Sequence, residues 1–134
     1  MRTLHAVIEW AVGNYSAYVE ELDGVAGIGH SLEEVKQSLK NGIEALAEAC
    51  RDFGDPVPEV LQGPYQLVFK MDTRSFLQMY CHIFTKSGLE RLTGINQKQL
   101  WHYANGKTKP RPAQVKRIED ALHRLGEELI SLEL

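Results

Sequence analysis

A basic segment in the second half of the chain has the residue types that bind phosphate groups. Residues 86–117 contain eight lysines and arginines and a single acidic residue, Glu90. Residues 1–63 carry four basic and eleven acidic residues, whereas residues 64–134 carry eleven and seven, so the chain as a whole is acidic with a net charge of −3. This asymmetry predicts two modules with different partners, and the basic segment is the candidate surface for nucleic-acid phosphates.

Residues for catalysis and metal binding lack the spacing that those functions need. Glu20, Glu21 and Asp23 lie near a predicted turn, whereas two-metal phosphodiester hydrolysis needs carboxylates that converge from strand centres. No glycine-rich phosphate loop and no nucleophile with a base is evident. Paired ligand spacing is also absent from the five histidines, which are His5, His30, His82, His102 and His123. We therefore expect a protein that is not an enzyme and has no metal or cofactor.

The first 70 residues predict a β-β-β-α-β module. Apolar and polar residues alternate from Leu4 to Val12, and a Gly13-Asn14 turn leads into a second strand. Asp23-Gly24 predicts another turn, followed by a short glycine-rich strand. Ser31 and Glu34 form a capping box that begins a six-turn helix ending at Gly54, and a fourth strand follows at residues 65–69.

Residues 71–134 predict an all-α domain. Asp72 can cap a first helix that carries Phe76, Met79 and Ile83, and Pro112 begins the last helix. Between them, two short helices joined at Gly94 have the layout of a helix-turn-helix. Asn96 is the predicted cap of the second of these, with Gln99 placed for a reciprocal contact. The inward contacts are predicted at Leu89, Leu92, Ile95, Leu100 and Tyr103.

The segments Gly94–Gln97 and Asn105–Pro110 resemble the phage-repressor (Cro/C1, or Xre) class of helix-turn-helix domains, over about Asp72 to Leu129. The resemblance implies base contacts in the major groove from Gln97, Lys98 and His102. It implies phosphate contacts from Lys86, Asn96, Lys107, Thr108, Lys109 and Arg111. Trp101 departs from the class, which usually has a polar residue there. A solvated, charged helix pair without a DNA partner is the alternative interpretation.

The acidic half resembles the HicB antitoxin family in the order of its motifs. These are Asn14–Val25, Gly29–Val35, Gly42–Leu46 and Gly54–Pro58. The family joins a degenerate ribonuclease-H-like module to a C-terminal DNA-binding domain, so the resemblance covers nearly the whole chain. It implies an antitoxin that blocks a basic, HicA-like mRNA-cleaving toxin and represses its own operon. Toxin contacts are assigned to Tyr15, Tyr18, Glu20, Glu21 and Asp23, unless Tyr15 packs in the sheet and the acidic residues are merely solvated.

A solitary transcriptional regulator with an N-terminal ligand- or protein-sensing module is the alternative function. In either case we expect a cytoplasmic protein without a membrane span, with Cys50 and Cys81 as reduced, buried thiols. The final helix continues beyond what one small domain needs. Core packing accounts for Leu122 and Leu125, whereas Leu129 and Leu132 predict a homodimer or a dimer of dimers.

Overall fold

The computed structural model describes all 134 residues and confirms the α+β class, with one four-stranded sheet and five α-helices. The chain divides into two units, Met1–Asp72 and Thr73–Leu134; the sequence predicted a boundary between residues 70 and 71. The sheet lies in the first unit, and the second unit is helical. No helix of the chain combines the length and the apolar character that crossing a membrane requires.

The first unit has the element order that its sequence predicts. Its sheet has the strand order β3-β2-β1-β4, in which β1 pairs antiparallel with β2 and parallel with β4. The parallel pair needs a crossover, which the long helix α1 and a short 3₁₀ turn provide. The elements are β1 (Arg2–Ala11), β2 (Asn14–Val19), β3 (Leu22–Gly29), α1 (Leu32–Phe53), the 3₁₀ turn Glu59–Leu61 and β4 (Tyr65–Met71).

Helix α1 packs on one face of this sheet. Its buried side chains, Val35, Leu39 and Ile43, meet the apolar side chains that alternate along the strands. Close packing on β3 requires glycine, because a Cβ at Gly27 would lie 2.9 Å from the Leu39 nitrogen and one at Gly29 would lie 2.7 Å from the Val35 nitrogen. The glycine-rich composition of β3 is therefore a packing requirement.

The ends of α1 lie where the sequence predicts them. The Ser31 hydroxyl accepts a hydrogen bond from the Glu34 amide at 3.1 Å. The Glu34 carboxylate in turn accepts from the backbone amide of His30 at 2.7 Å, so the capping box is present with its return bond one residue earlier than usual. Gly54 ends the helix in the left-handed conformation.

Two predicted turns are misplaced. The first hairpin turns at Val12 and Gly13, with φ of 39° and 77°, and Asn14 is already the first residue of β2. Positive φ at both central residues is the type I′ geometry that matches strand twist. The second turn lies at Glu20 and Glu21, while Asp23 and Gly24 lie inside β3. The register shift next to Val19 accounts for the difference, because it lets β3 begin earlier.

The second unit is a bundle of four α-helices around one apolar core. The helices are α2 (Thr73–Met79), α3 (Lys86–Thr93), α4 (Gln97–Ala104) and α5 (Pro112–Ile130), with a 3₁₀ turn at Tyr80–His82 after α2. Four of the predicted inward residues are buried, and the fifth, Leu92, packs against them. The buried core consists of Leu77, Leu89, Ile95, Leu100, Tyr103 and Ile118.

Two predictions near the end of α2 are wrong. Ile83 was placed on the first helix, but α2 tightens into the 3₁₀ turn at Tyr80, and Ile83 is 69% exposed. Phe84 packs against the core in its place. Cys81 lies in the same turn and is exposed, so it is not the buried thiol that a helical position predicted; both cysteines are free.

Candidate nucleic-acid interface

The turn between α3 and α4 is fixed by contacts from both sides. Gly94 ends α3 in the left-handed conformation, with φ of 74°, as its position predicted. The Thr93 hydroxyl donates to the Leu89 carbonyl at 2.7 Å and accepts from the Ile95 amide at 3.1 Å. Arg117 of α5 donates to the Gly94 carbonyl at 3.2 Å. Arg117, which sequence reasoning missed, thus helps to set the angle between α3 and α4.

The start of α4 is capped by Asn96, as predicted, since its side-chain oxygen accepts from the Lys98 amide at 2.8 Å. Gln99 does not make the predicted reciprocal contact. Its side-chain amide donates instead to the Thr108 hydroxyl at 3.2 Å, which ties α4 to the loop that follows. The side-chain oxygens of Asn96 and Thr108 therefore accept hydrogen bonds within the unit. Their side-chain hydrogens are the groups that can reach a phosphate.

Gln97, the first predicted base-contacting residue, is held by an acidic neighbour. The Glu90 carboxylate of α3 accepts from the Gln97 backbone amide at 3.2 Å and from its side-chain nitrogen at 3.3 Å. One hydrogen of the side-chain nitrogen is engaged, so the side-chain oxygen and the second hydrogen of Gln97 are left to face a ligand. The signal in the sequence is the isolation of Glu90 among basic residues, but its partner could not be inferred from spacing.

Lys98 is exposed beside Gln97, and the two residues line an open depression together with Lys86 and Trp101. The Lys86 ammonium lies 5.7 Å from the centroid of the Trp101 ring, within cation–π range. Trp101 is 45% exposed and contributes an aromatic surface to the depression. His102 stands beside the Trp101 ring and is half-buried, which makes it the least accessible of the predicted base contacts.

The loop between α4 and α5 presents basic side chains to solvent. Lys107, Lys109 and Arg111 are exposed, and none forms an ion pair. The Asn105 side chain accepts from the Lys107 amide at 2.9 Å and so shapes the loop. Arg74 of α2 lies against Gly106 in the same loop. A Cβ built on Gly106 would be 3.0 Å from the Arg74 guanidinium. Arg74 is a further basic residue that the sequence analysis did not single out.

The residues predicted to contact a toxin are divided between the core and the surface of the first unit. Tyr15 is 7% exposed and packs in the sheet core, so it does not belong to an exposed surface. Tyr18 points to the opposite face and is 46% exposed. Glu20, Glu21 and Asp23 are exposed at the turn and at the start of β3.

Antiparallel pairing of β1 and β2 brings His5 close to two of these carboxylates. The His5 ring nitrogen Nδ1 lies 2.6 Å from Glu21, whose other oxygen accepts from the His5 backbone amide at 2.7 Å. Glu20 pairs with Lys70 at 3.8 Å. Candidate ligand atoms of His5, Glu20 and Glu21 lie within 4.8 Å of one another, a grouping hidden in the sequence by the separation of the residues. The hydrogen bonds and ion pairs of the fold already account for this cluster.

The pKa of Glu21 reflects this pairing. Desolvation raises the pKa, but the hydrogen bonds from the His5 side chain and backbone amide, from the Glu21 backbone amide, and the attraction of the His5 charge together outweigh it. The pKa of Glu21 therefore lies below its ordinary value, and the carboxylate is ionised at neutral pH.

Comparisons with known proteins identify no relative: no protein-family model, no curated protein and no solved structure matches the chain.

Proposed function

We propose that the protein is an antitoxin with two binding activities, of which sequence-specific DNA binding belongs to the second unit. The observation that carries the proposal is the exposed start of α4, where Gln97 and Lys98 project beside unpaired basic side chains. The positive end of a helix dipole favours phosphate, and a helix of this kind fits the major groove. In the helix-turn-helix arrangement that we propose, α4 is the recognition helix and α3 its supporting helix.

Each predicted DNA contact has a distinct role in this proposal. Lys98 can donate to guanine, and the free side-chain oxygen of Gln97 can accept from adenine or cytosine. His102 is the third base contact, deeper on α4. The phosphate contacts are Lys86, Asn96, Lys107, Thr108, Lys109 and Arg111, which set the register without reading sequence.

The first unit is proposed to bind a HicA-like ribonuclease toxin. Helix α1 covers one face of the sheet, and the opposite face carries exposed apolar side chains at Tyr18, Ile28 and Val68. These are 46%, 69% and 41% exposed, an apolar surface that suits a protein partner. Glu20 and Asp23 add negative charge at its edge. An RNA-cleaving toxin needs a basic active site, so an acidic unit is electrostatically complementary to it.

This proposal describes a binding protein and not an enzyme. Its two partners, operator DNA and a toxin that cleaves mRNA, meet in the cytoplasm, so the proposal includes that location. No cofactor is needed for either activity.

DNA binding is tested by fluorescence anisotropy with duplexes from upstream of the gene and with shuffled duplexes of equal length. We expect tighter binding to the upstream sequence and a steep loss of affinity with salt. Lys98→Ala should reduce the preference by about 1–3 kcal/mol at one base-pair position. Lys116→Ala is the matched control, because this exposed lysine of α5 pairs with Asp120 and should leave the preference unchanged. Equal affinity for both duplexes would contradict sequence-specific binding.

Toxin neutralisation is tested by co-expression with the product of an adjacent short, basic reading frame. The antitoxin proposal expects growth rescue and co-purification, both weakened by Tyr18→Glu, which places a charge on the open sheet face. Tyr65→Phe is the control for tyrosine substitution in the same sheet. DNA binding without any such partner would favour the solitary regulator instead.

A further inference from the structure

Trp101 lies on the same face of α4 as the first two proposed base contacts. Gln97 is four residues before it and Lys98 is three residues before it, and side chains at these spacings are neighbours on a helix surface. The core residues of α4, Leu100 and Tyr103, are buried on the other side of the helix. Trp101 therefore lies one helical turn, about 5.4 Å, farther along the exposed face.

The apolar core of the second unit does not include Trp101, whose ring is exposed. Two neighbours limit its orientation instead. The Lys86 ammonium of α3 lies over the ring at 5.7 Å from its centroid, and the His102 ring is 5.6 Å away. A tryptophan side chain has only two rotatable bonds, so a ring that is already restricted loses little conformational entropy when it contacts a ligand.

The major groove offers an exposed indole ring one kind of apolar partner. Base edges in that groove present hydrogen-bond donors and acceptors, and their apolar group is the C5 methyl of thymine. Contact between the ring and a donor or acceptor that it does not pair would leave that polar group desolvated. Contact with the methyl buries apolar surface on both partners. The hydrogen bonds proposed for Gln97 and Lys98 do not detect a methyl group, whereas contact with the Trp101 ring does.

We propose that Trp101 is a specificity-determining residue that recognises thymine through its C5 methyl group. The thymine lies next to the base pairs that Gln97 and Lys98 contact, because the three side chains share one face of α4. This inference rests on the proposed function, since it requires α4 to lie in the major groove of DNA. It adds an apolar contact to a surface otherwise made of charged and hydrogen-bonding side chains.

A deoxyuridine scan tests the methyl contact. Each thymine of the upstream duplex is replaced singly by deoxyuridine, which removes the methyl group and keeps every hydrogen-bonding group of the base. Fluorescence anisotropy measures the affinity of the full chain for each duplex. We expect binding about fourfold weaker at one thymine or at two neighbouring thymines, as burial of a single methyl-sized group predicts. The other thymines are the control positions and should show little change.

Trp101→Gln identifies the residue that makes the contact. At the sensitive thymine this variant should bind the thymine and deoxyuridine duplexes equally, because the two changes remove the same interaction and are therefore not additive. Lys98→Ala is the matched control on the same helix face: its affinity should still fall about fourfold on the change to deoxyuridine. Circular dichroism checks that both variants fold.

Fluorescence quenching gives a second measurement that leaves Trp101 unchanged. Trp10→Phe makes Trp101 the only tryptophan of the chain. Acrylamide should quench this ring less once the upstream duplex is bound, because the groove then covers it. The shuffled duplex should protect the ring less than the upstream duplex does at equal saturation.

Sequence-specific binding combined with a flat deoxyuridine scan would overturn this inference and leave the proposed function intact. An undiminished deoxyuridine effect in Trp101→Gln would also overturn it, because another residue would then contact the methyl group. Acrylamide quenching that the upstream duplex does not change would place Trp101 outside the interface. Equal affinity for the upstream and shuffled duplexes would instead contradict sequence-specific binding itself, and this inference with it.

Discussion

The two units differ in net charge and in the share of their basic side chains that form ion pairs. In the first unit, basic and acidic groups pair with each other, as in Arg2–Glu59 at 3.2 Å and Lys70–Glu20 at 3.8 Å. In the second unit, the one ion pair between side chains is Lys116–Asp120 on α5, and the lysines around α4 have none. Two of the five basic side chains of the first unit are in ion pairs, against one of the ten in the second, and the lysines around α4 are unpaired and exposed.

This difference indicates which unit can give a negatively charged partner the larger gain in binding free energy. A basic side chain that already has an internal ion pair must give up that pair to bind a phosphate, and an unpaired one does not. The unpaired side chains of the second unit are concentrated between α3 and α5, which agrees with the proposed DNA surface. The first unit offers an exposed apolar sheet face, which suits contact with a folded protein.

The largest effect is expected from removing two unpaired lysines. Lys107→Ala together with Lys109→Ala should weaken binding to all DNA sequences on the order of a hundredfold, because each variant removes a proposed charge-assisted phosphate contact. The slope of log affinity against log salt should fall by about two. Anisotropy titrations across a salt series measure both quantities.

A control of equal charge comes from the first unit. Lys40→Ala with Arg51→Ala removes two exposed basic side chains of α1 and should change DNA affinity little. Equal losses from both double variants would break the contrast between the units, because binding would then follow net charge alone.

Glu90 is the exception within the second unit, since it is an acidic residue paired with a predicted base contact. Glu90→Gln removes a negative charge from the proposed DNA surface, so affinity for shuffled DNA should rise a fewfold. It also weakens the charged hydrogen bonds that orient Gln97, so the preference for the operator should fall by about 1 kcal/mol. The diagnostic result is a higher affinity for shuffled DNA together with a lower preference for the operator. A parallel rise in both affinities would mean that Glu90 acts by charge alone.

The elements that the sequence predicted well are those with local signals at both ends. Helix α1 has a capping residue at Ser31 and a left-handed glycine at Gly54, and both act as expected. The hairpin turn was placed one residue late because pairing of Ala11 with Asn14 sets the register, and no local signal favours Val12 in a turn. The position of the second turn likewise depends on the register shift between β2 and β3 next to Val19, which no local signal in the sequence predicts.

The candidate site was less predictable than the fold. Gly94 and Asn96 act as expected, because turn and cap chemistry depend on residue type and position. The contacts of Glu90, Arg117 and Arg74 depend on how side chains cross between helices, which spacing alone does not determine. Of the two interpretations of Tyr15, toxin contact or packing in the sheet, the structure supports packing, as the alternation of β2 indicates.

A smaller effect is expected at the first hairpin. Val12 is a β-branched residue at φ of 39°, a conformation that such residues rarely adopt, and it is 93% exposed. Val12→Asn supplies the Asn-Gly pair that type I′ turns favour, so the first unit should gain about 0.5–1 kcal/mol. Urea unfolding followed by Trp10 fluorescence in a Trp101→Phe background measures this gain. Val68→Asn, at another exposed position of the sheet, should give no gain in the free energy of unfolding. A gain at Val68, or no gain at Val12, would contradict the claim that the backbone of Val12 is strained.

The smallest effect concerns the internal pairing of the first unit, through Glu21. Its pKa is lowered in the folded state, so the stabilisation is present above the ordinary carboxyl pKa of about 4.3 and is lost as the pH falls through the folded value. Glu21→Gln should therefore destabilise the first unit at neutral pH, and the difference from wild type should shrink toward about pH 3. The same fluorescence assay measures it, and the effect is modest because the pair is partly solvated. Glu44→Gln, an exposed carboxylate of α1, is the control. A difference in stability that does not change with pH would show that Glu21 acts through hydrogen bonds that glutamine cannot replace, and not through its charge. The charge pairing assigned to Glu21 would then be wrong.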